Sequence, residues 1–393
     1  MVFMMIRRAK VLEVLSNRCH QVLFCEVIGV PDVVDEDLAS RFAPGSRYKA
    51  VCYPELLGEA QVGDILQIEV SALAKSLGTG GVATVVANES RLPDDQLPRP
   101  GHLVKARYTP TQKMVLGADE PDSPWYPELK DASDLKKLPV IVADLHSALP
   151  AIVAGYRHRD PQARLVYIMT DGAALPLAYS NVVAQLRHSG ELAATITCGQ
   201  AFGGDFEAVN LASSLFIAQR VVRASAVIVT QGPGNLGTGT RWGFSGLDVA
   251  WHLQCVQALG GKGVAVLRLS NGEARRRHFG FSHHCLTALT AFGIPAIDVP
   301  VPIFNPDCPA QASLADPEGD FATALAPDLE TLKQYHRLHF VPTENLYRVL
   351  EAYPVKFSTM GRGLDADPAA FLAAAVAGTF SADLAGENPT PQT

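Results

Sequence analysis

Two stretches of this sequence gather side chains that can do chemistry. The first is Asp144-Leu145-His146-Ser147. In extended chain, positions two apart share a face, so Asp144 and His146 could act as an orienting carboxylate and a general base, or form a satisfied surface pair. The second runs from Ser270 to His284 and holds Asn271, Arg275, Arg276, Arg277, His278, Ser282, His283 and His284. Its arginines, ahead of a helix start, could hold a carboxylate or phosphate by paired hydrogen bonds and the helix dipole. Its histidines are candidate acid–base groups. Adjacent residues point about 100° apart on a helix, so His283 and His284 are not expected to ligate one metal, and no metal site is expected. Ser282 reads as an N-cap rather than a nucleophile, because no G-x-S-x-G elbow surrounds it.

Between these stretches lies the richest loop, Gln231-Gly232-Pro233-Gly234-Asn235-Leu236-Gly237-Thr238-Gly239-Thr240-Arg241. Its G-x-G-x-x-G spacing directly after an apolar run suits backbone amides approaching an anion, with Arg241 as a further donor. The helix does not open at once, and no acidic residue stands about 20 positions on at a strand end, so a nucleotide or dinucleotide cofactor is only weakly supported. Gly261-Lys262 is followed by Gly263, which excludes a P-loop. Asp171 and Gln200 sit in shorter loops of the same kind, and Asp171 and Asp205 could cap the helices after them. Cys198 ends an apolar run and reads as a buried, inert thiol. Arg362, in Met360-Gly361-Arg362-Gly363, could close over a cleft or merely turn the chain.

These residues need elements that bring them together. Continuous apolar runs at 139–143, 164–170, 192–198, 226–231, 263–269 and 296–299 predict about six strands buried on both faces. Helical patterns at 148–158, 175–188, 206–222, 247–259 and 283–292 alternate with them. The implied fold is a Rossmann-like, doubly wound parallel α/β sheet whose polar loops all leave at the carboxyl edge, where such folds bind ligands. Before it, β-rich runs at 9–15, 20–28, 47–53, 64–71, 82–87 and 102–108 predict a small barrel-like or sandwich domain. Residues 78–81, Gly-Thr-Gly-Gly, could cradle a phosphate but read better as a hairpin turn. The divisions expected are 1–116 for this β-rich domain, 117–138 for an acidic linker, 139–300 for the α/β domain, and 301–393 for an acidic, partly helical extension packing on it. The last helix is expected to begin with Asp367 as N-cap and Pro368 at its first position.

Composition narrows the class. The chain has 393 residues, 48% hydrophobic and 19% charged, and a net charge of −7. That is a folded globular composition, and its acidity argues against nucleic acid as a partner. No apolar run reaches the length of a membrane span, and the seven cysteines lack paired spacing, so a cytoplasmic protein without a membrane partner is expected. Residues 139–300 are the exception, with 12 Lys+Arg against 9 Asp+Glu, which favours a small anionic ligand. Nothing in the sequence sets the oligomeric state, and a homo-oligomer is compatible with it.

The segments Gly101-His102-Leu103-Val104-Lys105-Ala106-Arg107-Tyr108-Thr109-Pro110, 231–239, Arg277-His278 with Ser282-His283-His284, and Ser358-Thr359-Met360-Gly361-Arg362-Gly363 together resemble a bacterial family known only as a domain of unknown function. The resemblance spans nearly the whole chain and implies no activity. The residues themselves point to an enzyme acting on a small phosphate- or carboxylate-bearing metabolite at the carboxyl edge of the sheet. The alternative is a sensor or adaptor that binds such a ligand without chemistry.

Overall fold

The computed structural model describes residues 4–32, 40–77, 81–95 and 100–386. The expected turn at 78–80 therefore lies outside the described residues. The chain divides into two compact units, one of residues 1–99 with 109–113 and one of 100–108 with 114–393.

In the first unit, β1 (Ile6–Asn17), β2 (Gln21–Gly29), β3 (Arg47–Cys52), β4 (Ile65–Glu69) and β5 (Ala83–Asn88) close into a barrel of order β1-β2-β3-β5-β4. All neighbours are antiparallel except β3 and β5. Alternation along β2 and β4 buries Leu23, Cys25, Leu66 and Ile68 inside. Arg7 is also buried and donates to the Phe42 and Ile6 carbonyls.

The second unit is built on one parallel sheet of eight strands, two more than the apolar runs predict. They are β6 (Pro139–Val142), β7 (Leu165–Thr170), β8 (Ala194–Thr197), β9 (Phe206–Glu207), β10 (Ala226–Gln231), β11 (Lys262–Ala265), β12 (Asp298–Ile303) and β13 (Arg337–Pro342). The order across the sheet is β9-β8-β7-β10-β6-β11-β12-β13. Every residue of β6, β7, β8 and β10 is buried, which requires cover on both faces. Two groups of helices supply it. One pairs α1 (Leu149–Arg159) with the long α8 (Pro368–Gly386); the other joins α3 (Leu211–Phe216), α4 (Asp248–Ala258) and α5 (His283–Thr290). Between them in sequence come α2 (Asn181–His188), α6 (Asp320–Lys333) and α7 (Leu346–Glu351). Strand β12 contains Pro300 and Pro302, which lack N–H donors. Its pairing to β11 is confined to Asp298 and Val264, whereas all six of its residues pair with β13.

Two expected divisions need correction. Residues 117–138 are not a free linker, because Leu129, Leu135 and Leu138 are buried in the core of the α/β unit and Leu135 N–H donates to the Leu259 carbonyl. Acidic residues between those leucines mask the anchors. Residues 301–393 are more than an extension, since they supply β13 and α8. Among the described residues α8 is the one helix long and apolar enough to cross a membrane, and it is mostly buried here. It crosses α1 so closely that a Cβ on Gly155 would stand 2.0 Å from the Ala375 carbonyl oxygen, and one on Gly378 would stand 2.2 Å from that of Ile152.

Candidate functional site

Strands β6 and β11 lie side by side but lead away in opposite directions, β6 across the sheet towards β7 and β11 outward to β12. Loops that diverge in this way leave a crevice between them, where open parallel sheets take their ligands. A cleft open to solvent lies there. Asp144 and Ser147 line one side, and Arg268, Ser270, Glu273 and His278 the other; Thr359, Arg362 and Asp367 complete the wall.

The wall is tied together by charge. Arg268 reaches Asp144 at 3.4 Å and lies over the Phe244 ring. Burial raises the Asp144 carboxyl above its usual range, with Arg268 opposing the shift. Asp367 is fully buried, and its carboxylate accepts from Ser270 Oγ at 2.6 Å, Arg362 Nε at 2.9 Å and Asn271 N–H at 3.0 Å. As expected, Asp367 stands at the N-cap position with Pro368 opening α8, and its carbonyl accepts from Ala370 N–H, but its carboxylate is turned to these other partners. The side-chain part of the cap falls to Asn271, whose Oδ1 accepts from Ala369 N–H near the start of α8. Glu273 pairs with both Arg275 and Arg362, and the Arg275 hydrogen bonds lead in holding its carboxyl down at about 2.

At one edge of this cleft three imidazoles converge. His278 sits in a short turn (Arg276–His278), while His283 and His284 open α5. One ring nitrogen of each lies within 4.8 Å of the others. This overturns the expectation that adjacency would point His283 and His284 apart: their rings are 3.9 Å apart, and those of His278 and His283 are 5.0 Å apart. Side chains in a first helical turn lean back towards the preceding residues, and here both lean over the turn that carries His278. His278 Nδ1 lies 2.9 Å from Ser282 Oγ, and its Nε2 accepts from Arg277 Nε at 3.4 Å. His284 stacks on Phe244, and its Nε2 lies 3.4 Å from the Thr240 carbonyl. His284 Nδ1 and His283 Nε2 are buried without a partner. Burial, reinforced by Arg268 and Arg275, pushes His278 down to about 3, and burial with the neighbouring His283 brings His284 to about 4. Burial, with Arg277 and Arg268, lowers His283 as well, so all three rings favour the neutral form at pH 7.

Other expected site residues fall elsewhere. Beyond Asp144 the chain turns at once into a short helical turn (His146–Ala148), so the shared extended face never forms. His146 is buried between Tyr167 and Ser180, 2.9 and 2.7 Å away. Thr230 spends its hydroxyl proton on the Gln231 carbonyl, so Tyr167 must donate to Thr230 and His146 Nδ1–H to Tyr167, leaving Nε2 to accept from Ser180. Both ring nitrogens are thereby used within the protein.

The glycine loop makes its close approaches within the protein. Gly232 is needed because a Cβ would stand 2.3 Å from the Ala174 carbonyl oxygen, a contact within the protein. Gly234 and Gly239 have positive φ, but Gly237 does not and has room for a side chain. The loop folds back on itself through Thr238 N–H to the Gly243 carbonyl, and helix α4 opens only at Asp248. Arg241 is exposed and stacks on Trp242. Gln231 and Asn235 donate to the backbone carbonyl of Asp144, and so support the cleft from behind. Asp171 accepts from Gln200 N–H, and its charge bears on Asp248 and His252 rather than on the cleft. Gln200 in turn accepts from Arg107 N–H. Neither Asp171 nor Asp205 caps a helix: Asp205 takes Arg187 and Thr195. Burial raises the Cys198 thiol to about 11.

The residues overlooked in the sequence are Arg268, Glu273 and Asp367. Arg268 was detectable as a lone charge near the end of an apolar run; nothing local marks the other two.

A family described as "Protein of unknown function (DUF3866)" matches residues 49–378. The chain belongs to that family. No curated protein and no solved structure matches it. The family's match takes in β6 to β13 and every residue of the cleft wall.

Proposed function

We propose that this protein is an enzyme acting on a small phosphate- or carboxylate-bearing metabolite held in the cleft between the ends of β6 and β11. The observation that carries the reading is the convergence there of guanidinium and neutral imidazole groups. Arg268 and Arg362 stand in the wall and Arg277 lies against His278. Buried imidazole nitrogens without partners cost about 1–3 kcal/mol each, a cost a purely structural cluster has no reason to keep. A binding module without chemistry is the second reading. It is favoured by the pairing of Arg362 with Glu273 and Asp367, which fixes an orienting group without freeing it to react.

A thermal-shift panel of phosphorylated sugars, nucleotides and small carboxylates tests the common core of both. A ligand at 100 times its dissociation constant adds about 2.7 kcal/mol. Arg277→Gln, at an exposed position, should leave the unliganded melting temperature nearly unchanged and weaken the best anion about tenfold. No stabilisation by any anion, or equal stabilisation of the variant, defeats the reading. Turnover of the stabilising compound separates enzyme from binding module.

A further inference from the structure

We propose that His278, His283 and His284 form a binding site for one divalent transition-metal ion of the zinc class, set at the edge of the cleft. The inference goes beyond the anion reading and does not require it.

Three observations converge. The first is spacing. Zinc–imidazole bonds of about 2.0–2.1 Å put tetrahedral nitrogens about 3.3 Å apart. Nitrogens already within 4.8 Å of one another have at most about 1.5 Å to close to reach that spacing. The second is the far side of two of the rings. A metal-bound imidazole usually engages its other nitrogen with a protein group, which fixes the tautomer. His284 Nε2 faces the Thr240 carbonyl, which can only accept, so that nitrogen carries the proton and Nδ1 presents its lone pair. His278 Nδ1 faces Ser282 Oγ, and Nε2, which accepts from Arg277 Nε at 3.4 Å, carries the lone pair that a metal would take in place of that long hydrogen bond. The third is the unmet demand: His284 is 5% exposed, yet its Nδ1 has no partner, and neither has His283 Nε2. A cation bound to those lone pairs would satisfy both.

Three protein nitrogens leave a fourth position of a tetrahedral ion open, the pattern of ligand-exchanging rather than purely structural sites. His278 is part of the cleft wall, so that position is within reach of a cleft ligand. The charges nearby fit an anion better than a bare cation. Arg268 and Arg277 oppose a lone dication, and Asp144, paired to Arg268, is a compensating carboxylate in the wall. Metal and anion should therefore bind cooperatively, each raising the other's affinity by the same factor. Imidazole ligands suit zinc, copper, nickel and iron, and zinc and cobalt(II) are the probes of choice.

The test uses the full chain, stripped with chelator and titrated with Zn²⁺ by calorimetry, with Co²⁺ absorption as a report of coordination. The expected result is one ion per chain, intense visible absorption from four-coordinate cobalt, and tighter binding with inorganic phosphate present. His283→Gln and His284→Asn should each weaken Zn²⁺ at least tenfold, while His158→Asn, at an exposed position on α1, should not. Circular dichroism shows which variants are folded; should His284→Asn unfold, His283→Gln, at a half-buried position, carries the comparison. Absence of a stoichiometric ion, or equal affinity in wild type and the folded histidine variants, overturns the proposal. Stabilisation of the metal-free protein by anions is read separately, so the metal site can fail while the anion reading stands, and the reverse.

Discussion

His146 shows how little a residue's type decides and how much its two ring nitrogens do. Enclosed by Tyr167 and Ser180, it is held neutral, and burial brings it down to about 4. Its folded value lies below the ordinary imidazole value of about 6.5, so its contribution to stability is fully present above about pH 6.5 and is lost as pH falls towards 4. Over that window the unfolded chain takes up a proton that the folded protein refuses, a difference of about 3 kcal/mol. Urea denaturation across pH 4–7 should show a shallower acid slope for His146→Gln than for wild type, by close to one proton. An unchanged slope would mean that His146 already titrates in the folded state. Anion binding in the same variant should persist. The contrast with His278, His283 and His284 explains what the sequence could and could not disclose. Residue types and loop membership singled out all four histidines, but only the local turns decide that His146 faces inward and that adjacent His283 and His284 lean together over His278.

At the scale of elements, legibility follows burial. Runs such as Ala226–Gln231 are buried throughout, so composition alone identifies them. Strand β13, Arg337–Pro342, sits at the sheet edge with three of its six residues exposed, and its mixed side chains carry no such signal. Strand β9 has only two residues, and its place is fixed by pairing to β8 together with contacts from distant residues, Lys105 and Thr197 to the Glu207 carboxylate among them, none of which shows in a periodic pattern. Helix α8 is apolar on all sides because it is enclosed, and its alanines and glycines are there to let α1 approach. Gly155→Val would drive a branched side chain into the Ala375 carbonyl and should cost about 3 kcal/mol or more. Thermal melting should drop accordingly while residual folded protein keeps its anion affinity. A near-neutral effect would show that the crossing is looser than described.

For the whole molecule, the two units have separate cores, one inside the barrel and one spanning the sheet and its helices. A fragment of residues 100–393 should therefore fold, melt cooperatively and bind the same anion and metal as the full chain. A fragment that is soluble but lacks a cooperative transition would show that the sheet depends on the barrel. That the chain contains a β-rich part and a parallel α/β part was readable from the change of hydrophobic period. The assignment of 100–108 and 117–138 to the α/β unit was not, because it rests on single anchors such as Lys105, buried with Glu207, rather than on a periodic pattern.

The crossing of α8 over α1 also bears on time. Ser147 and Thr359, whose hydroxyls meet at 3.1 Å across the cleft, are 212 positions apart in the chain, and Asp367 closes on Ser270 over 97. Contacts of such separation form only after long loops have closed, which slows folding. The cleft wall therefore cannot be assembled early from neighbouring segments. In stopped-flow refolding, ligand competence should emerge in the slowest major phase, together with the burial of α8, and a partly folded chain with its central strands in place should have no pocket to offer.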